Sequence, residues 1–269
     1  MVFESFIFPI SHLGPKSKRT TIITNLIEFM ALFGELLGNS LTPMASGVLS
    51  FSEVCQTKRI PMTEQNIDYP QITLDRVVDR IAETYGGVFA KETVERVVYE
   101  SYAALLRTSK NQRYLTNFAE KFSKDRLRAL ATAKGSLAKD KPEVLFVCVQ
   151  NAGRSQMAMA LMNELSGGKI SVRSAGSMPA REVSEKTLAV MLEVGLDLSQ
   201  EFPKPLTDDV VQAADVVITM GCGDACPLYP GKRYLDWNLT DPADLDLDGV
   251  RAVRDEIKAL VEGLIAELI

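Results

Sequence analysis

Val144-Leu145-Phe146-Val147-Cys148-Val149 followed by Gln150-Asn151-Ala152-Gly153-Arg154-Ser155 is the stretch of sequence on which the fold turns. The first six residues form a continuous apolar run of the length and composition of a buried strand. The residues after Arg154 place Met157, Ala158, Leu161, Met162 and Leu165 at helical spacing, which predicts a helix from Arg154 to Leu165. A strand therefore hands over to a helix across a loop of small and polar residues. The amino end of that helix faces back onto the loop, so its unpaired N–H groups and the positive end of its dipole converge where an anion would sit. Ala152 and Gly153 let the backbone close in, and the Arg154 guanidinium offers a planar fork for two oxygens of a tetrahedral oxyanion. The Cys148 sulfur falls at the base of this cradle, where the same amides favour a thiolate. Ser155 has a hydroxyl for that sulfur, and Asn151 can hold the loop through its own backbone. The competing reading makes Cys148 a small buried hydrophobe and Arg154 an exposed helix residue.

Downstream, Ile170–Arg173, Val216–Met220 and Arg233–Trp237 read as further strands, with helices over Val183–Val194 and Asp208–Ala213. A last helix repeats apolar residues at Val250, Val253, Ile257, Leu260, Val261, Leu264 and Leu268. Strands alternating with helices at this spacing predict a parallel sheet covered on both faces, with ligands bound beyond the carboxyl ends of its strands. Trp237 and Met220 read as core residues.

Upstream, the pattern is different. From Thr73 to Gly135 it is helical: Leu74, Val77, Val78, Ile81 and Tyr85 share one face, then Val94, Val97, Val98, Ser101, Tyr102 and Leu105, then Leu115, Phe118, Ala119 and Phe122. Thr73 reads as the first helix's cap and Gly86-Gly87 as its stop. Residues 73–135 are thus expected to form a small three-helix bundle, 136–142 a linker, and 143–269 the α/β domain. Residues 1–72 read as a poorly ordered extension with one helix near Thr21–Leu37. Lys16, Lys18 and Arg19 resemble a targeting n-region, but Glu28 and Glu35 interrupt the apolar run after them, and Met62 is an alternative start.

Bulk properties narrow the chemistry. A chain of 269 residues exceeds one typical domain, and a net charge of -5 makes no case for nucleic acid. Arg113, Lys121, Lys124, Arg126 and Arg128 are interleaved with Glu120 and Asp125, the pattern of a solvated helix face. No span is long and apolar enough for a membrane. The single histidine, His12, is remote from every candidate site, so neither a histidine base nor histidine-ligated zinc is expected. Four cysteines are too few for a disulfide scaffold in a chain this long, which favours the cytoplasm and makes any disulfide a transient, catalytic one.

The Cys148–Ser155 segment, with Ser174-Ala175-Gly176 and Asp241-Pro242, resembles the low-molecular-weight protein tyrosine phosphatase family, and within it the arsenate reductase branch. The likeness covers residues 141–269. It implies a four-stranded parallel sheet, Cys148 as nucleophile, Arg154 as oxyanion clamp with the loop residues Gln150–Ser155 around the anion, and Asp241 as proton donor. Asp-Pro is also a common turn start. The helical segment is similar to small bundles fused to actinobacterial members. Thr219-Met220-Gly221-Cys222-Gly223-Asp224-Ala225-Cys226-Pro227 separates the branches, because reducing arsenate takes two electrons from a thiol pair and hydrolysing a phosphoester takes none. The branch implies a relay in which Cys222 attacks Cys148, Cys226 takes over Cys222, and an external reductant, thioredoxin or a mycothiol/mycoredoxin-type system, restores the thiols. Two inert thiols in a loop, or a zinc site with too few ligands, are the other readings of that pair.

Three features depart from the family pattern. Cys222 and Cys226 are closer together than the relay pair usually is. Met159 stands where many of these enzymes carry a glutamate beside a potassium site, so no bound metal or cofactor is expected. Gln150 replaces a common glycine. The rival functions are a phosphatase that would not need Cys222 and Cys226, and an arsenic-responsive regulator whose helical segment binds DNA or a protein.

Overall fold

The computed structural model describes residues 68–110, 112–221 and 226–269, all within one compact unit spanning Thr63–Ile269. The helix expected near Thr21–Leu37, the rest of the extension up to residue 67, and Cys222 lie outside the described residues.

Among the described residues three α-helices come first: α1 (Asp68–Thr84), α2 (Lys91–Thr108) and α3 (Leu115–Ala133), with a short 3-10 turn at Gln112–Tyr114 before the third. The first helix starts earlier than its sequence suggests, so Thr73 lies inside it and is not its cap. Pro70 in its first turn reads as a breaker, yet a residue lacking an N–H costs nothing where no carbonyl partner exists. Leu74, Val77, Val78 and Ile81 of α1 pack on Val94, Val97 and Val98 of α2 and on Leu127 of α3.

The chain then alternates β1 (Glu143–Cys148), α4 (Arg154–Leu165), β2 (Ser171–Gly176), α5 (Glu185–Leu192), α6 (Asp208–Ala213), β3 (Val216–Met220), β4 (Arg233–Asp236) and α7 (Leu247–Leu268). The four strands form one parallel sheet in the order β2-β1-β3-β4. Strand alternation sorts its side chains into two cores. Val144, Phe146 and Cys148 point toward α4, α5 and α7, where Met157, Met162, Val190, Val253, Ile257 and Trp237 meet them. Leu145 and Val147 point the other way, toward Val210 and Val211 of α6 and Ala129 of α3. Helices therefore cover both faces, and part of the second face is covered by α3. Trp237 and Met220 are both buried in the first core.

The second strand runs beyond Arg173, where its apolar signal ends, through Ser174 and Ala175 to Gly176. Small residues have weak strand propensity, and here the ladder to β1 overrides it, pairing Gly176 with Cys148. The last helix is capped by Asp246, whose carboxylate accepts the Gly249 N–H at 2.8 Å. Its buried residues Val250, Val253, Ile257, Val261 and Leu264 follow the expected period, while Leu260 is left exposed on the flank.

One carboxylate is poorly compensated. Burial raises the Asp125 carboxyl above its ordinary value, and the charges of Lys204, Arg173 and Lys121 offset this only in part. The folded chain then holds that proton more tightly than the unfolded chain, so ionised Asp125 costs stability at neutral pH, and the cost vanishes as the pH falls below the unfolded carboxylate range. Asp125→Asn is accordingly expected to raise the melting temperature at pH 7 and to leave it nearly unchanged below about pH 4, measured by thermal denaturation across pH.

Candidate active site

The loop from Cys148 to Arg154 occupies the carboxyl end of β1, in the middle of the sheet. Its carbonyls are committed outward. Those of Cys148, Val149, Gln150 and Ala152 accept the N–H groups of Ser177 at 3.2 Å, Met178 at 2.8 Å, Ala180 at 2.9 Å and Ser184 at 2.9 Å. In a planar trans peptide the N–H points opposite the carbonyl, so the following amides turn toward the sulfur side. Asn151 displays the result: its N–H donates to Cys148 Sγ at 3.1 Å. The Ser155 hydroxyl lies 2.9 Å from the same sulfur.

Asn151 holds the turn with a φ of 49°, a left-handed conformation that asparagine tolerates better than most residues. Its side chain is fully buried, and both of its polar atoms are hydrogen-bonded. Nδ2 donates to Ser155 Oγ at 2.8 Å, while Oδ1 accepts from Gln156 Nε2 at 3.0 Å and from the Lys204 N–H at 2.8 Å. Gln156 also donates to the Asn151 and Phe202 carbonyls, at 3.2 Å and 3.0 Å.

Two glycines admit this geometry. A Cβ on Gly176 would stand 2.8 Å from the Val149 carbonyl and 2.9 Å from Asn151 Cβ, and one on Gly153 would stand 3.1 Å from Pro242 Cγ. Gly176→Ala is expected to destabilise the chain by about 1–3 kcal/mol, as overpacking does, and to slow any Cys148-dependent reaction because the displaced atoms belong to the loop. Denaturant midpoints and kcat/KM measured together check both effects.

Above the sulfur is an open cavity of about 220 Å³, lined by Cys148, Gln150, Ala152, Gly153, Arg154, Ala180, Glu182, Ser184 and Asp241–Ala243. Arg154 is buried, with Nη1 donating to the Leu239 carbonyl at 3.2 Å and Nη2 bonded to Asp241 Oδ2 at 2.5 Å. Asp241 is more than half exposed, and its Oδ1 accepts the Ala243 N–H, so it serves a local turn as well as lining the site. Gly221, just past β3, lies against Arg154: a Cβ there would be 3.3 Å from Arg154 Nη1.

Of the residues singled out by sequence, Cys148, Gln150, Ala152, Gly153, Arg154 and Asp241 meet at the cavity. Asn151 and Ser155 are fully buried behind the sulfur and support it from below. Cys226 is buried in the other core, beside Leu145, Val147 and Val217, on the face of the sheet opposite Cys148. Sequence did not flag Gln156, Phe202, Lys204, Glu182 or Ser184. Gln156 sits two residues after Arg154 and its polarity on a buried helix face was a signal, whereas the others come from distant segments that no spacing connects to the loop.

Residues 143–269 match the sequence model of a family described as low molecular weight phosphotyrosine protein phosphatase, and residues 74–131 match one described as protein-tyrosine-phosphatase-like, N-terminal domain. The chain belongs to the low molecular weight phosphotyrosine protein phosphatase family. Among its relatives are the putative arsenate reductase of Halobacterium salinarum, 36% identical over 127 residues that cover 45% of this chain and 89% of that protein, and the glutaredoxin arsenate reductase of Synechocystis sp., 39% identical over 129 residues that cover 47% and 98%. A solved structure, the thioredoxin-dependent arsenate reductase of Corynebacterium glutamicum, is 48% identical, with 72% of this chain and 96% of that one covered at a TM-score of 0.67. That match extends beyond the α/β residues.

Proposed function

We propose that this chain reduces arsenate to arsenite through Cys148, with Cys222 and Cys226 as a thiol relay. The loop supports the first step: a sulfur receiving an amide N–H and lying beside a hydroxyl, at the base of a cavity rimmed by Arg154 and Asp241. The Cys148 thiolate attacks arsenic, an arsenate oxygen leaves as water with protons supplied in part by Asp241, and a thiol–arsenic bond forms. Cys222 then attacks Cys148 Sγ. The sulfur–arsenic bond breaks with its electron pair on arsenic, so As(V) leaves as As(III) and a Cys148–Cys222 disulfide remains. Cys226 attacks Cys222, releases the Cys148 thiolate and leaves a Cys222–Cys226 disulfide, which an external dithiol reduces.

The contact of Gly221 with Arg154 carries the reductase reading over the phosphatase one. The residue immediately before Cys222 in sequence abuts the clamp that would hold the anion. The order of the relay is supported by Cys226 packing in the core on the sheet face opposite that of Cys148. A dithiol protein is the proposed reductant, since one similar structure is named for thioredoxin and one relative for glutaredoxin. Such a partner fits a reducing compartment.

The test is arsenite release by the purified chain, supplied in turn with thioredoxin, glutaredoxin and mycothiol systems, for wild type, Cys148→Ser, Cys222→Ser and Cys226→Ser. Reduction that needs all three cysteines is expected. Phosphoester hydrolysis that survives loss of Cys222 and Cys226, with no arsenite formed, would establish the phosphatase instead. Arsenate binding without turnover under any reductant would establish a regulator.

A further inference from the structure

Asn151 and the loop carbonyls depend on two outer segments, 177–184 and 201–204, and the helical region grips both. Phe202 is 4% exposed, yet its neighbours belong to α2 and α3: Leu105, Leu115, Ala119 and Phe122 surround it, and its ring stacks on Phe118 with centroids 4.6 Å apart. Beside it, Glu201 bridges the ammonium groups of Lys121 at 2.6 Å and Lys204 at 2.7 Å. Burial acts to raise the Glu201 carboxyl, and these two cations outweigh it and hold it below its ordinary value. At the end of α2, the Lys110 N–H donates to the Arg181 carbonyl at 3.1 Å and its ammonium pairs with Glu182 at 2.8 Å.

From these anchors to the sulfur, each step is one hydrogen bond. The Phe202 carbonyl takes Gln156 Nε2, the Lys204 N–H reaches Asn151 Oδ1, and Asn151 donates its own N–H to Cys148 Sγ. Gly176, which admits Asn151, donates to the Lys204 carbonyl at 2.8 Å. Without α2 and α3, Phe202 would present an aromatic ring to water and the segment carrying the Asn151 anchor would lose its apolar seat.

We propose that helices α2 and α3 are a positioning element for the Cys148 loop, with Phe118 and Lys121 as positioning residues that act through Glu201–Lys204 on Asn151. The helical region thereby tunes how well the loop receives an oxyanion, although no residue of it lines the cavity. This rests on Cys148 being the nucleophile of the oxyanion site, but not on arsenate being reduced.

The experiment follows carbamidomethylation of Cys148 by iodoacetamide in the full chain, resolved by peptide mass spectrometry, at increasing inorganic phosphate. The protection constant scores loop geometry without turnover, so a failed reductase assay leaves this test intact. Phe118→Ala is expected to weaken phosphate protection about tenfold and Lys121→Ala about threefold, with Phe118→Tyr restoring it to within about twofold. The Lys121 side chain is nearly half exposed, so its alanine variant folds even where Phe118→Ala proves too unstable. Val97→Ala opens a cavity in the α1–α2 core away from Phe202 and is expected to lower the melting temperature with protection unchanged. Wild-type protection in both Phe118→Ala and Lys121→Ala, or equal weakening by Val97→Ala, would overturn the proposal.

Discussion

Cys148→Ser is expected to abolish both arsenite formation and any phosphoester hydrolysis, a loss of at least about 10⁴-fold in kcat, because removing the proposed nucleophile of a covalent mechanism removes the pathway itself. The size of the effect follows from the surroundings of the sulfur. Cys148 Sγ is 2% exposed by residue, receives the Asn151 N–H at 3.1 Å and lies 2.9 Å from Ser155 Oγ. A serine hydroxyl placed there finds the same partners but no base to take its proton: among the described residues the cavity is lined by no histidine, and Asp241 is engaged by Arg154. Packing is preserved, since serine is nearly isosteric and Cys148 sits at the edge of its core. The expected result is therefore an inactive chain with a near-wild-type melting temperature and near-wild-type phosphate binding. A serine variant retaining a hundredth of wild-type turnover would show that Cys148 is not the nucleophile.

How much of this was legible in the sequence differs by residue. The strand, the loop and the helix after it were readable from Val144 to Leu165 because apolar periodicity, small residues and an arginine at a helix start all point the same way. The covering of the sheet was readable too, since Val144–Phe146–Cys148 and Leu145–Val147 alternate between two cores. The carboxyl half of β2 was not, because Ser174, Ala175 and Gly176 carry no strand signal of their own and owe their conformation to pairing with β1. Nor was the seat of Phe202. A lone aromatic between Glu201 and Pro203 looks like a loop residue, and only the tertiary fold brings it among Leu105, Leu115 and Phe122, some eighty to a hundred residues away. Asn151 was legible as a loop holder through its own backbone, whereas its bonds to Gln156 and Lys204 depend on that same long-range packing.

Arg154→Lys is the second substitution expected to have a large effect, lowering kcat/KM by about 10²–10³-fold, which corresponds to roughly 3–4 kcal/mol of lost transition-state stabilisation. Charge is conserved, so a loss of this size would have to come from geometry. The guanidinium is fixed from two sides, Nη1 on the Leu239 carbonyl and Nη2 on Asp241, and Gly221 lies beside its Nη1. A lysine ammonium is a point charge on a flexible stem: it can satisfy the Leu239 carbonyl or reach into the cavity, but it cannot present two parallel N–H groups to two oxygens. Oxyanion binding and the chemical step should both suffer, with kcat falling more than the substrate constant rises if the fork acts on charge that develops as arsenic is attacked. Steady-state kinetics alongside phosphate protection of Cys148 separates the two contributions. Asp241→Asn provides the contrast. It removes the proposed proton donor and the charge paired with Arg154 but leaves the fork in place, so it should lower kcat with far less effect on phosphate protection. If Arg154→Lys stays within about threefold of wild type on both measures, the Arg154 fork is not the clamp and the loop amides carry the anion without it.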